Sequence, residues 1–268
     1  MSGGSTKGIC ALGGIQYLYD SNILQKITNF IGTSVGSMIC YLIVIGFSPQ
    51  EILAYLCSKQ LLEKMQHFNL VAMINGAGAS TFIHIQEQLE KMSISKIGFL
   101  PTFQDIFITF GKVLVFPTFN ISSSTTEYLS KDTYPNLSCI TAIRMSANIP
   151  FVFEDFKYGN SYYIDGSISN NFPIEIGEQL GTNILGIYIQ TTNETNLSKN
   201  GFIEYIFKLL STLILSCDNI KIDNKGPRTT IVRLNCESNF NFLQFNLDTK
   251  SKLELFSNGY MQIRDRIS

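Results

Sequence analysis

A short β-branched and aromatic run, Lys26 to Gly32, ends in Gly32-Thr33-Ser34-Val35-Gly36, and an almost wholly apolar segment, Val35 to Ile45, follows at once. The first has the character of a strand. The second reads as a buried helix. A strand that becomes a helix within five residues constrains the fold more than any other feature of this chain. The turn must be sharp and strained, and glycines two before and two after the serine leave room for it. Such a turn lifts the Ser34 hydroxyl clear of the backbone, over the partial positive charge of a helix N-terminus. The five residues also admit a plainer reading, with Ser34 as the N-cap of a helix that follows a glycine-rich turn.

The rest of the chain alternates in the same manner. Gly8 to Tyr19, Pro49 to Leu62, Thr81 to Met92, Ser138 to Ala147, Pro173 to Leu180 and Leu247 to Ile267 read as helices. Lys112 to Asn120, Tyr162 to Ile164, Asn183 to Gln190 and Thr229 to Leu234 read as strands, and Asn75-Gly76-Ala77-Gly78 as a flexible break. The strands are apolar without alternation, which is the pattern of strands buried on both faces. The expected fold is therefore α/β: a three-layer sandwich with a mostly parallel central sheet and helices on both faces. With 268 residues, 45% of them hydrophobic and 15% charged, the chain can bury one large core, and a single domain over 1–268 is expected.

Several function classes fall away. The formal net charge is −1 and there is no basic tail or stripe, so nucleic acid is not an expected partner. The six cysteines form no C-x-x-C pair and have no histidine nearby, so they read as buried thiols in a reducing compartment. No signal peptide opens the chain. The most apolar stretch, Phe202 to Cys217, carries Glu204 and Lys208 and falls short of a spanning helix. It suits an acyl-chain groove, a membrane-facing cap or a core helix. The expected location is cytoplasmic, with peripheral membrane contact.

A serine nucleophile needs a proton acceptor. Only two histidines exist, His67 and His84, and each sits in an ordinary helical setting. A triad is poorly supplied, which leaves a carboxylate acting directly on the serine. Asp165, in Tyr162-Tyr163-Ile164-Asp165-Gly166-Ser167, is the best placed, although Asp-Gly between apolar runs is also a hairpin signal. Asp105, Glu154 and Asp155 read as solvated.

At this point the residues resemble a known family, the patatin-like phospholipases. Ser2-Gly3-Gly4-Ser5-Thr6-Lys7-Gly8 is similar to the family's glycine-rich oxyanion segment, and Gly32-Thr33-Ser34-Val35-Gly36-Ser37 to its nucleophile elbow. Arg144-Met145-Ser146-Ala147-Asn148-Ile149-Pro150, Tyr163-Ile164-Asp165-Gly166 and Asn170-Asn171-Phe172-Pro173 resemble its later blocks in their usual order, and Leu243 to Met261 its closing helix. The resemblance implies a Ser–Asp dyad with Ser34 as nucleophile and Asp165 as base. Backbone N–H groups around Gly3, Gly4 and Ser5 would form the oxyanion hole. Gly32 and Gly36 would shape the elbow, and Gly166 would complete the dyad motif. It implies a lipid acyl hydrolase of phospholipase A type with a phospholipid or other acyl-lipid substrate and no cofactor or metal. The same site also fits an acyltransferase, or an inactive relative that binds lipid or a partner. Two departures stand out. Ser5 replaces the third glycine of the loop. The family's first strand, which delivers the chain into that loop, has only Met1 to represent it, so the expected domain lacks that strand or fills its place otherwise.

Overall fold

The computed structural model describes residues 1–58, 78, 80–191, 202–236 and 247–267. The flexible break at 75–77 and the candidate base His67 lie outside them. Among the described residues, β1 (Asn29–Ile31), β2 (Val113–Asn120), β5 (Ser161–Asp165) and β4 (Phe156–Tyr158) are neighbours in that order, and β3 (Thr125–Ser130) also pairs with β2. A second pair, β6 (Ile184–Thr191) and β7 (Thr229–Cys236), is parallel.

The register of β2 decides where the site forms. β3 lies antiparallel along β2 from Val115 to Asn120 and fills one edge. β1 pairs with Val113 to Val115 in parallel, and β5 pairs with Thr118 to Asn120 in antiparallel. One edge of a strand holds one partner at each residue, so β1 and β5 share the other edge. Their C-terminal ends meet head to head across the short gap at Phe116 and Pro117. The chain leaving β1 leads into Ser34, and β5 ends on Asp165.

The α/β class with a helix-flanked central sheet is present, but the pairing is mixed rather than mostly parallel. Among the described residues only β1–β2 and β6–β7 are parallel. The apolar, non-alternating sequence of β2 reports burial on both faces, and such burial does not fix strand direction. Met1 and Ser2 tie the two sheets together. The Met1 amine donates to Ile31 O at 2.6 Å, Thr33 N donates to Met1 O, and Ser2 N donates to Ile187 O of β6.

Helices α1 (Gly8–Asp20), α2 (Val35–Val44), α3 (Pro49–Ser58) and α4 (Ile83–Ile97) agree in kind with the sequence pattern. So do α6 (Cys139–Ser146), α8 (Ile174–Leu180), α9 (Phe202–Asp223) and α10 (Thr249–Ile267). Several short elements were not expected, among them β3, β4 and the helix α5 (Phe103–Phe110). The helix α5 starts at a capping box. Thr102 Oγ1 accepts from Asp105 N while the Asp105 carboxylate accepts from Thr102 N. Asp105 is thus a cap and not a merely solvated carboxylate. Glu154 is engaged as well, accepting from the Arg144 guanidinium at 2.9 Å.

The main core gathers Leu12, Tyr41, Phe116, Ile143 and Leu234 from both sheets and the helices around them. A smaller cluster, Phe172, Ile174, Tyr188 and Ile222, lies under α9. All six cysteines are free, four of them buried, whereas Cys217 is exposed on α9.

Candidate active site

Ser34 has φ 55° and ψ −124°, a backbone conformation that costs a side-chain-bearing residue on the order of 1–3 kcal/mol. Its neighbours enforce it. A Cβ on Gly32 would lie 2.4 Å from Gly36 O, so only glycine lets strand and helix close this tightly. Thr33 Oγ1 donates to Asn170 O at 3.0 Å and Ser34 N donates to Ser146 Oγ at 3.2 Å. The Ser34 side chain makes no capping bond to α2. Its Oγ instead donates to Asp165 Oδ2 at 2.6 Å.

Asp165 does not enter a hairpin. Gly166 has helical dihedrals and opens a short helix, α7 (Ser167–Asn170). A Cβ on Gly166 would stand 2.2 Å from Pro117 O, in the gap between the two strand ends. The second carboxylate oxygen accepts from Ser167 N at 2.7 Å, and the backbone is pinned by Asp165 N to Asn148 O. Ser34 is 5% and Asp165 3% exposed. Burial is the largest influence on Asp165 and pushes its pKa above the ordinary carboxylate range, against the Ser34 and Ser167 hydrogen bonds that hold it down.

In the glycine loop the Gly3 N–H donates to both the backbone O of Asn171 (3.3 Å) and Asn171 Oδ1 (3.1 Å), so it is committed inside the protein. A Cβ on Gly3 would lie 2.7 Å from Asn171 Oδ1 and from Ser167 Oγ, and 3.2 Å from Ser34 Cβ. The Gly4 and Ser5 amides find no acceptor among the described residues. Ser5 takes φ 51°, a left-handed conformation that favours glycine, and its buried Oγ is unpartnered among the described residues.

Ser5 and Ser34 line an apolar cavity of about 160 Å³. It follows α2 through Met38 and Leu42 and is walled by Ile9 and Leu12 of α1, Leu89 of α4, and Phe153. Eight residues of helix separate Ser34 from Leu42, a run of about 12 Å. No described residue of α9 lines it, so the reading of Phe202 to Cys217 as an acyl-chain groove is not the one the fold adopts. The inner face of α9 packs Phe207 and Ile222 into the two cores. His84 is half-buried on α4, and the cavity takes its neighbour Ile85 instead.

Ser146, Asn171 and Asp218 were not singled out by sequence reasoning. Ser146 and Asn171 fall inside the quoted blocks, but nothing in their spacing shows what they hold. Asp218 has no local signal at all.

Residues 1–177 match the model of the patatin-like phospholipase family. The chain belongs to that family. The probable lipid hydrolase 463L of invertebrate iridescent virus 6 is 30% identical, with 97% of this chain and 84% of that protein aligned. The uncharacterized protein R571 of Acanthamoeba polyphaga mimivirus is 27% identical over 100% of this chain and 92% of its own length. VipD from Legionella pneumophila shares the fold with a TM-score of 0.58 at 15% identity; 98% of this chain is covered, and the chain spans 65% of that structure.

Proposed function

We propose that this chain hydrolyses fatty-acyl esters of phospholipids, as a single domain over 1–268, through Ser34 and Asp165. The observation that carries this reading is the 2.6 Å hydrogen bond from Ser34 Oγ to Asp165 Oδ2 at the end of an apolar cavity. In acylation the Ser34 Oγ–carbonyl bond forms as the hydroxyl proton passes to Asp165. The ester C–O bond then breaks and Asp165 returns that proton to the leaving alcohol. In deacylation water attacks the acyl-enzyme, gives a proton to Asp165, and the fatty acid leaves as Ser34 is reprotonated. The Gly4 and Ser5 amides and the N-terminus of α2 face the developing oxyanion. The raised pKa of Asp165 suits a base working near neutral pH.

A fluorophosphonate probe tests the nucleophile. Wild type is expected to label and Ser34→Ala is not, and a wild type that stays unlabelled would sink the hydrolase reading. Mixed phospholipid vesicles should release fatty acid only with Ser34 in place.

The lipid surface meets the protein at α9. Its outer face carries Tyr205, Leu209, Leu213 (57% exposed) and Ile220 (61% exposed). That is a stripe with one to two turns between members, along a helix whose other face packs into the two cores. Between Tyr205 and Cys217 its only charge is Lys208, which does not repel anionic headgroups. Exposed Phe151, between cavity-lining Ile149 and Phe153, packs edge-on against Phe207 on the inner face of α9, which sets this helix beside the cavity rim. No helix among the described residues is long and apolar enough to cross a membrane. Leu209→Glu with Leu213→Glu is expected to weaken sedimentation with phosphatidylcholine–phosphatidylserine vesicles at least tenfold, since each buried Leu is worth about 1.5–3 kcal/mol. Turnover of a soluble short-chain ester should not change. Unaltered vesicle binding would remove α9 from the interface.

A further inference from the structure

Asp218 lies beyond the segment that matches the family model and takes no part in the chemistry above. It sits on the inner face of α9, 1% exposed, over the small core cluster that holds Tyr188 and Ile222. Its Oδ2 accepts from Asn171 Nδ2 at 2.7 Å. The other end of the same carboxamide, Asn171 Oδ1, accepts from Gly3 N at 3.1 Å. An ionised carboxylate only accepts and a backbone N–H only donates, so the two ends agree on one orientation of the Asn171 amide. Three residues on, Lys221 Nζ donates to Asn170 Oδ1 and to Glu175 Oε1. One helix thus grips both asparagines of the Asn170-Asn171 pair, and their backbone oxygens hold the elbow at Thr33 and the loop at Gly3.

We propose that Asp218 is a positioning residue for the oxyanion loop. By fixing the Asn171 carboxamide it holds the Gly3 amide inside the protein, so that the next two amides, Gly4 and Ser5, are the ones left for the acyl oxygen. This inference rests on the hydrolase reading.

With a neutral partner at position 218 the Asn171 amide can turn over. It would then present Nδ2 to the Gly3 N–H, two donors face to face, and the loop would have to shift. The acyl cavity is untouched, so the effect belongs in kcat and not in KM. Titration gives an independent readout. Burial pushes the Asp218 pKa up to about 6, against hydrogen bonds from Asn171, Tyr188 and the Phe172 amide and the charge of Lys221. The groups facing it are the Tyr188 hydroxyl from β6, with Arg233 of β7 beyond it, and Lys221 with its partner Glu175. A raised carboxyl pKa means that the ionised, acceptor-only form exists above about pH 6. Below that pH the wild type carries a neutral group, as Asp218→Asn does at every pH.

The experiment measures kcat and KM on a soluble short-chain ester from pH 5 to 8, for wild type, Asp218→Asn, Asn171→Ala and the double variant, with Ser34→Ala as blank. At pH 8 Asp218→Asn should lose about tenfold in kcat, the scale of one mispositioned oxyanion donor or less, with KM little changed. That ratio should shrink toward one at pH 5, because Asp165 titrates in both proteins alike. The double variant should be no slower than Asn171→Ala alone, as two residues on one path are not additive. A kcat ratio constant across pH, additive losses, or a change confined to KM would overturn the inference while leaving the dyad standing. A wild type with no turnover above the Ser34→Ala blank would overturn both.

Discussion

Asp165→Asn is expected to lower ester turnover by about 10³–10⁴-fold, the loss seen when a serine nucleophile is deprived of its base. The side chain keeps its shape: the carboxamide oxygen can keep the bond from Ser167 N, and its Nδ2 then faces Ser34 Oγ, which in the wild type donates to Asp165 at 2.6 Å. What is lost is proton affinity, because an amide cannot take the hydroxyl proton as attack proceeds. Stability should not fall with activity. The folded-state pKa of Asp165 is raised, chiefly by burial. A raised carboxyl makes its stabilising contribution at low pH and loses it as pH rises from the unfolded-state pKa through the folded one. At neutral pH the ionised Asp165 is therefore a cost that a neutral amide removes, and the melting temperature of the variant should equal or exceed that of wild type. The wild-type rate has the opposite sign. It needs the ionised base, so kcat should fall as pH drops through the raised pKa, at a pH above that of an ordinary carboxylate. His84→Ala should stay within about twofold of wild type, since half-buried His84 does not line the cavity and its side chain is not called on for the proton transfer. A comparable loss from His84→Ala would replace the dyad with a triad.

The pairing of Ser34 with Asp165 was half legible in the chain. The strand–turn–helix pattern marked Ser34, and the shortage of histidine pointed to a carboxylate. Asp165 itself had a hairpin reading that local residues could not remove. What removes it is the register of β2, which places the ends of β1 and β5 on one edge, and that is a relation across 131 residues. Helices α1 and α2 were readable because burial on nearly every face writes a long apolar run into the sequence. The helix α5 is eight residues long and was missed although Phe103, Ile106, Phe107 and Phe110 repeat at helical spacing and Thr102 and Asp105 advertised its start. The sheet was expected to be mostly parallel because its strands lack alternation, and that pattern reports two buried faces whatever the direction. The loop is a different case. Its glycines marked a close approach correctly, yet the Gly3 amide is spent on Asn171, and the residue that orients Asn171 lies on a helix 47 positions later. No local window contains that contact.

Gly259→Ala should lower the melting temperature by roughly 6–12 °C, although alanine in a helix is worth about 1 kcal/mol more than glycine. The sign reverses because α1 and α10 cross at backbone contact. A Cβ on Gly259 would lie 1.8 Å from Cys10 O, and one on Gly13 would lie 1.8 Å from Phe256 O. Each helix thus presents a glycine to the other's carbonyl, and a rigid backbone atom cannot swing aside as a side-chain tip can. The helices must separate, which loosens the neighbouring Tyr17–Tyr260 edge contact and the packing of buried Ile263. Overpacking a core costs about 1–3 kcal/mol, and a backbone clash belongs at or above the top of that range. Ser257→Ala, exposed on the same helix, supplies the control and should be neutral or slightly stabilising. Thermal unfolding of the two variants side by side decides the matter. If Gly259→Ala melts at or above the temperature of Ser257→Ala, the helices do not cross at this distance. The consequence reaches the site as well. α1 carries Ile9 and Leu12 on the cavity wall and begins where the Ser5 turn ends, so a shifted α1 widens the space beside Ser34. Gly259→Ala is accordingly expected to raise KM for long-chain esters more than for short-chain ones, since only the longer chain reaches the displaced wall.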